Sequence, residues 1–279
     1  MECLKSPAFQ LRTFLHDIAK GNQDRADKLL TDNPQSTQEL LNLPATFADY
    51  SGRTFNCTAY EYAYWAKDTH MCRMLERYMS DETKADMARR INKMESLDKA
   101  THEPVGLTYS QHGKEYHSAH FDLSALKTAL SEYVQGYANW ERTRNWTAME
   151  AAWMKVGLAQ RDVPVHVINE YCRKDRSFEP CPEFKEDKLP REIMFYNWNS
   201  DKDEPLFPLV ISASSGLGIN FSLLRRWHGR AGVSDRAACL DSDLAAVNRL
   251  DEVRTTDLTR SREILGLIEP EHVHGSRPF

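Results

Sequence analysis

Between Gln10 and Pro34 the apolar positions recur every three or four residues in two blocks. Leu11, Phe14, Leu15 and Ile18 fall on one face of a helix, Gly21-Asn22 interrupts them, and Ala26, Leu29 and Leu30 resume the period before Asn33-Pro34. The pattern predicts a helix, a tight turn and a second helix. Gly21 can take the positive φ that ends the first helix, Asn22 stands at the cap of the second, and Pro34 bars continuation. A comparable block follows. Asp49 to Gly52 predicts a turn, Thr58-Ala59-Tyr60-Glu61 a capping box, Tyr62, Ala63, Trp65 and Ala66 a helix, and Lys67-Asp68 the turn into the next one.

Past residue 80 the helical period continues. Ser80 to Ala100 is strongly charged with a sparse stripe of Met87, Ile91 and Met94, which predicts a surface helix. Leu123, Leu126, Leu130, Val134 and Tyr137 predict a core helix. Trp146, Met149, Trp153 and Val156 predict another, and Pro164 opens a helix through Val165, Ile168 and Tyr171. Two stretches carry strand and turn signals instead. One hairpin is expected near 105–121, turning at His112-Gly113. A second is expected near 192–211, with strands Ile193–Trp198 and Leu206–Ile211 joined by the polar Asn199–Glu204. Leu240, Leu244, Val247 and Leu250 predict a late helix, with a break near Thr255-Thr256 and a last helix capped near Asp257 or Thr259. The fold expected is mostly α with a minor β component: helical hairpins over 8–80, a mainly helical domain over 81–268, and a frayed tail over 269–279.

Composition narrows the classes of function. With 41% hydrophobic and 10% aromatic residues, the 279-residue chain can bury a core large enough to offset its ordering entropy. The net charge of −5 is spread along the chain, without the basic block that phosphate neutralisation requires, so a nucleic-acid partner is not expected. No apolar run approaches the ~20 residues that cross a bilayer, and MECLKSPAFQ lacks the apolar core of a secretory leader. A protein that folds in a cytosol is expected. Cys3, Cys57, Cys72, Cys172, Cys181 and Cys239 are scattered with no CxxC pair, which points to free thiols and away from a zinc ribbon.

Three stretches carry candidate chemistry. HGKEYHSAHFD, from His112 to Asp122, crowds imidazoles and carboxylates, with Glu115 and His117 the weak metal candidates. Strand alternation turns those two away from His120 and Asp122, so neither a metal nor any other cofactor is expected. Cys181, Cys172 and Cys57 are weak candidate nucleophiles with a histidine such as His166 as base. His166 and Cys172 are six residues apart, a net rotation of about 240° on one helix, so they do not pair directly. Ser214, Ser215, Gly216 and Gly218, followed by Arg225 and Arg226, are a weak anion-binding candidate at a strand-to-helix turn. GxSxG, HExxH and Walker patterns are absent from the chain.

The two N-terminal blocks resemble ankyrin repeats: a Gly-containing turn, a Thr-capped helix, a short polar turn, and a second helix ending in a Leu pair in the first block. Thr58 matches the ankyrin Thr, whereas Ala59, Tyr60 and Glu61 replace Pro, Leu and His, and Phe55-Asn56-Cys57 looks inserted. The resemblance implies ankyrin-like hairpins docked on the helical body, with Tyr50, Arg53, Phe55, Tyr60 and Trp65 as partner-binding residues. More widely, DYSGRTF, AHFDLSALKTAL, VGLAQRDVPVHVINEYCRKDRSFEPCPEF, LPREIMFYNW and SGLGINF resemble ankyrin-like proteins of intracellular bacteria, many of them similar to Dot/Icm type IV secretion effectors. That resemblance implies secretion into a host cytosol and binding of a host protein or another bacterial effector. A host-modifying cysteine enzyme is the alternative.

Overall fold

The computed structural model describes residues 6–197, 202–205 and 235–269. These residues are mostly helical, with a small antiparallel sheet. Helices α1 (Pro7–Ala19) and α2 (Gln23–Asp32) form the first pair, followed by α3 (Thr37–Asn42). Strands β1 (Ala45–Ala48) and β2 (Thr54–Cys57) lead to a second pair, α4 (Ala59–Trp65) and α5 (Thr69–Glu76), and then to α6 (Asp81–Glu95).

Local chemistry explains the punctuation. Gly21 adopts φ +73°, and a Cβ there would lie 3.0 Å from Val165, so the turn also needs the missing side chain to pack on a later helix. Asn22 occupies the N-cap of α2 but makes no capping bond; its amide donates to Asp17 instead. At α4 the reciprocal cap is complete, the Glu61 amide donating to Thr58 Oγ1 at 3.2 Å and the Thr58 amide to Glu61 Oε2 at 2.9 Å.

Strands β3 (Leu107–Gln111) and β4 (Lys114–Ser118) complete a four-stranded sheet in the order β1-β2-β3-β4. His112 and Gly113 both take positive φ, the geometry of a two-residue turn matched to strand twist. The register aligns one aromatic from each strand, Phe47, Phe55, Tyr109 and Tyr116, with neighbouring ring centroids 5.3–5.8 Å apart. Trp65 packs edge-on against Phe55, Tyr109 and Phe121. Phe55-Asn56-Cys57, which interrupts the repeat pattern, is therefore the strand that joins the two hairpins.

Helices α7 (Ser124–Thr143), α8 (Trp146–Asp162), α9 (Val165–Cys172) and α10 (Asp235–Ile264) build the second half. Two hydrophobic clusters result. The first spans α1 to β3 and so runs past residue 80, taking in Met87, Ile91, Met94 and Leu107; the second centres on Leu126, Leu130, Tyr133, Trp153, Val156 and Ile168. Helix α10 belongs to both, placing Val247 and Leu250 in the second and Leu258 in the first.

Three local expectations are corrected. Helix α10 runs unbroken through Thr255-Thr256, because Val253 and Leu258 are both held by buried packing, which outweighs the low helix propensity of two threonines. Strand β5 (Met194–Asn197) pairs with β6 (Lys202–Pro205), within the polar stretch read as the connection, and residues 206–211 lie outside the described residues. Trp146, read as core, is half exposed at the start of α8.

Candidate functional site

The residue types that ordinarily stay at the surface are concentrated beneath α5, α9 and α10. All eight residues of α9 are buried, including His166, Asn169 and Glu170. Glu170 is 0% exposed and faces Arg254 of α10, itself 1% exposed, with Arg254 Nη2 donating to Glu170 Oε1 at 3.1 Å. The other Glu170 oxygen accepts from Arg173 at 3.4 Å and from Arg176, and both arginines also bind Glu186. Arg254 Nη1 reaches the Phe184 carbonyl at 3.1 Å. Such a cluster is tolerated inside a protein only because each charge meets an opposite one.

A second group lies beside it. Arg191 grips Asp68 with both terminal nitrogens, at 2.8 and 2.9 Å, and donates to Gln23 and Asn169. Burial alone would raise the Asp68 carboxyl, but Arg191 and His166 hold it well below the usual carboxylate range. Asp68 also caps α5 through the Met71 amide at 3.1 Å. Burial, reinforced by Arg254, pulls His70 down to about 3, and burial pulls His166 down to about 3 against the pull of Asp68, so both imidazoles are neutral near pH 7. His70 Nε2 lies 2.8 Å from the Glu186 carbonyl oxygen.

Outside this network opens a cleft of about 610 Å³ between α2, α5 and the segment 187–191. Arg73, Arg77, Lys188 and Arg191 line it together with Asp24, Asp27 and Asp187, over His70, Met74, Leu189 and Pro190. Arg77 pairs with Asp27 at 2.9 Å.

The sequence candidates fall elsewhere. Arg53, Phe55, Tyr60 and Trp65 are buried, which corrects their reading as a partner-binding face: Arg53 is locked to Asp49 at 2.8 Å and lies over the Trp65 and Phe121 rings. Of the five, only Tyr50 is partly open, beneath Lys20. Cys57 and Cys172 are buried in core clusters and Cys181 is exposed. Burial pushes the Cys57 thiol well up and the Cys181 thiol up, the opposite of thiolate activation. His117 approaches Glu103 at 3.9 Å, His120 approaches Glu95 at 3.4 Å, and Asp122 accepts from the Ser124 amide at 2.8 Å at the entrance to α7. Glu115 is exposed on β4, with Ser110 opposite it. Ser214, Ser215, Gly216, Gly218, Arg225 and Arg226 lie outside the described residues.

Sequence reasoning missed the buried seam and the cleft. Their members range from Gln23 to Arg254, and the one local signal was Asn169 and Glu170 inside an otherwise apolar helical stretch.

Comparison with known proteins places this arrangement in a family. The model of the CBUA0006 C-terminal domain matches residues 125–265, which carry α7 to α10 and most of the buried seam. The chain is also similar to CBUA0006 of Coxiella burnetii (strain RSA 493 / Nine Mile phase I), described as an uncharacterized protein: 38% identical over 273 residues, covering 92% of this chain and 76% of that protein. The chain belongs to the CBUA0006 family. No solved structure matches it, and no helix among the described residues is long and apolar enough to cross a membrane.

Proposed function

We propose that the chain is a non-enzymatic interaction module, a bacterial effector or effector regulator that binds a host protein or another effector through its ankyrin-like helical pairs. The observation that carries this reading is the cleft. Helices from both pairs and the segment 187–191 line it with four cations and three carboxylates, and the lining residues include no serine, threonine or cysteine. Charges of both signs at a rim steer and select a protein surface, and a covalent step through a hydroxyl or thiol has no nucleophile in this lining. The partner surface is then this outer face of α2 and α5, not the buried aromatics of α4.

The test is affinity capture from host cells with the native chain and with Arg77→Glu combined with Lys188→Glu, reversing two exposed rim charges. Lys155→Glu, an exposed change on α8, is the control. A protein retained by the native chain and the control but lost with the rim variant supports the reading. No protein above background, or equal retention by all three, overturns it. Delivery is tested separately, by a translocation reporter in bacteria with and without a working type IV system.

A further inference from the structure

We infer that the cleft seats the free C-terminal carboxylate of a partner polypeptide whose last side chain is apolar; this rests on the reading of the cleft as the partner surface. The groups lining the cleft differ in how far their bonds are used. Arg191 spends its donors on Asp68, Gln23 and Asn169, and Arg77 is paired with Asp27. Arg73 makes no hydrogen bond among the described residues. Its nearest anion is Asp257 at 3.7 Å, and that carboxylate already accepts from Thr69 at 3.1 Å and Arg254 at 3.4 Å. A guanidinium with open donors therefore lines the cleft.

His70, one helical turn earlier on α5, lines it too. A carbonyl oxygen only accepts, so the neutral ring must place its single proton on Nε2, toward Glu186. Nδ1 is then a bare acceptor, and it is buried with no hydrogen-bond partner. Met74 and Leu189, both buried, supply apolar surface beside these two groups. Nδ1 is closed off from solvent, so a donor reaches it only when side chains lining the cleft move, and Met74 is the most adaptable of them.

The last residue of a polypeptide carries the complement of all three features on neighbouring atoms: a carboxylate for Arg73, an amide N–H for His70 Nδ1, and a side chain for Met74 and Leu189. An internal peptide segment has no backbone carboxylate next to its amide. Inorganic phosphate satisfies the cation and leaves the apolar floor unfilled.

The probe is N-acetyl-Gly-Leu as the free acid, titrated into the full ¹⁵N-labelled chain while the Arg73 Nε–H and His70 ring nitrogen signals are followed by NMR. The C-terminal amide of the same peptide and inorganic phosphate are the comparison arms. The free acid should bind with Kd of about 1 mM, move both side-chain signals, and lose about tenfold on amidation or in Arg73→Met. Arg73 is partly exposed, so Arg73→Met should keep the native melting temperature. Equal titration by acid and amide, phosphate binding as tightly as the acid, or no shift at about 10 mM overturns the inference. A captured partner that survives Arg73→Met but is lost with the rim reversal would refute the carboxylate seat and leave the interaction reading standing.

Discussion

Glu170→Gln removes one negative charge while changing the side-chain shape very little. In the native protein that charge is fully buried and faces Arg254, Arg173 and Arg176. The variant keeps one acceptor oxygen but leaves three guanidinium groups sharing Glu186, Asp175 and Asp257, each of them partly exposed. Stripping one partner from a buried ion pair costs about 3–5 kcal/mol, and the remaining carboxylates should hold the loss to about 3. With a urea m-value of about 3 kcal/mol/M for a chain of this size, the unfolding midpoint should fall by about 1 M with m unchanged. Arg254→Met should cost less, because Glu170 keeps two other arginines. The double variant Glu170→Met with Arg254→Met should recover part of the loss, since no unpaired charge faces the interior at that pair. A midpoint shift below about 0.3 M for Glu170→Gln, or a larger loss for Arg254→Met than for Glu170→Gln, would refute this account of the seam.

Two further outcomes follow from other parts of the molecule. His70 and His166 each fall from an ordinary value of 6.5 to about 3 on folding. The unfolded chain therefore binds more protons as pH drops below 6.5, and stability is lost over that window, by on the order of 2 kcal/mol per histidine at pH 5. Urea midpoints measured from pH 7 to 5 should show the decline, and His166→Phe should flatten it. At the sheet, Gly106 has φ +70° and a Cβ there would lie 2.5–2.8 Å from the Ser118 backbone, whereas Gly113, at φ +73°, has open space. Gly106→Ala should cost more than ~2 kcal/mol and Gly113→Ala about 1, compared by thermal melts; equal costs would show that β4 yields easily.

Elements governed by neighbours a few residues away were legible before the fold was known. Thr58 and Glu61 announce the start of α4 because the cap is made within one turn. His112-Gly113 announces its turn because positive φ selects such residues. Misreadings arose where remote packing outweighed local preference. Thr255-Thr256 looks like a break on intrinsic propensity, yet α10 continues because Val253 and Leu258 are each buried in a core cluster. Arg53 and Tyr60 resemble surface residues of a repeat, yet Asp49 and Glu76 satisfy them inside.

From the chain alone came the mostly helical class, the minor β component and the reciprocal cap of α4, since each depends on hydrophobic period and local hydrogen bonding. The tertiary structure alone decided which charged residues are buried together. Glu170 and Arg254 stand 84 positions apart, and Arg191 and Asp68 stand 123 apart. No local pattern encodes such pairs; they exist because folding removes water from both partners at once and leaves each charge to be solvated by groups brought from distant parts of the chain.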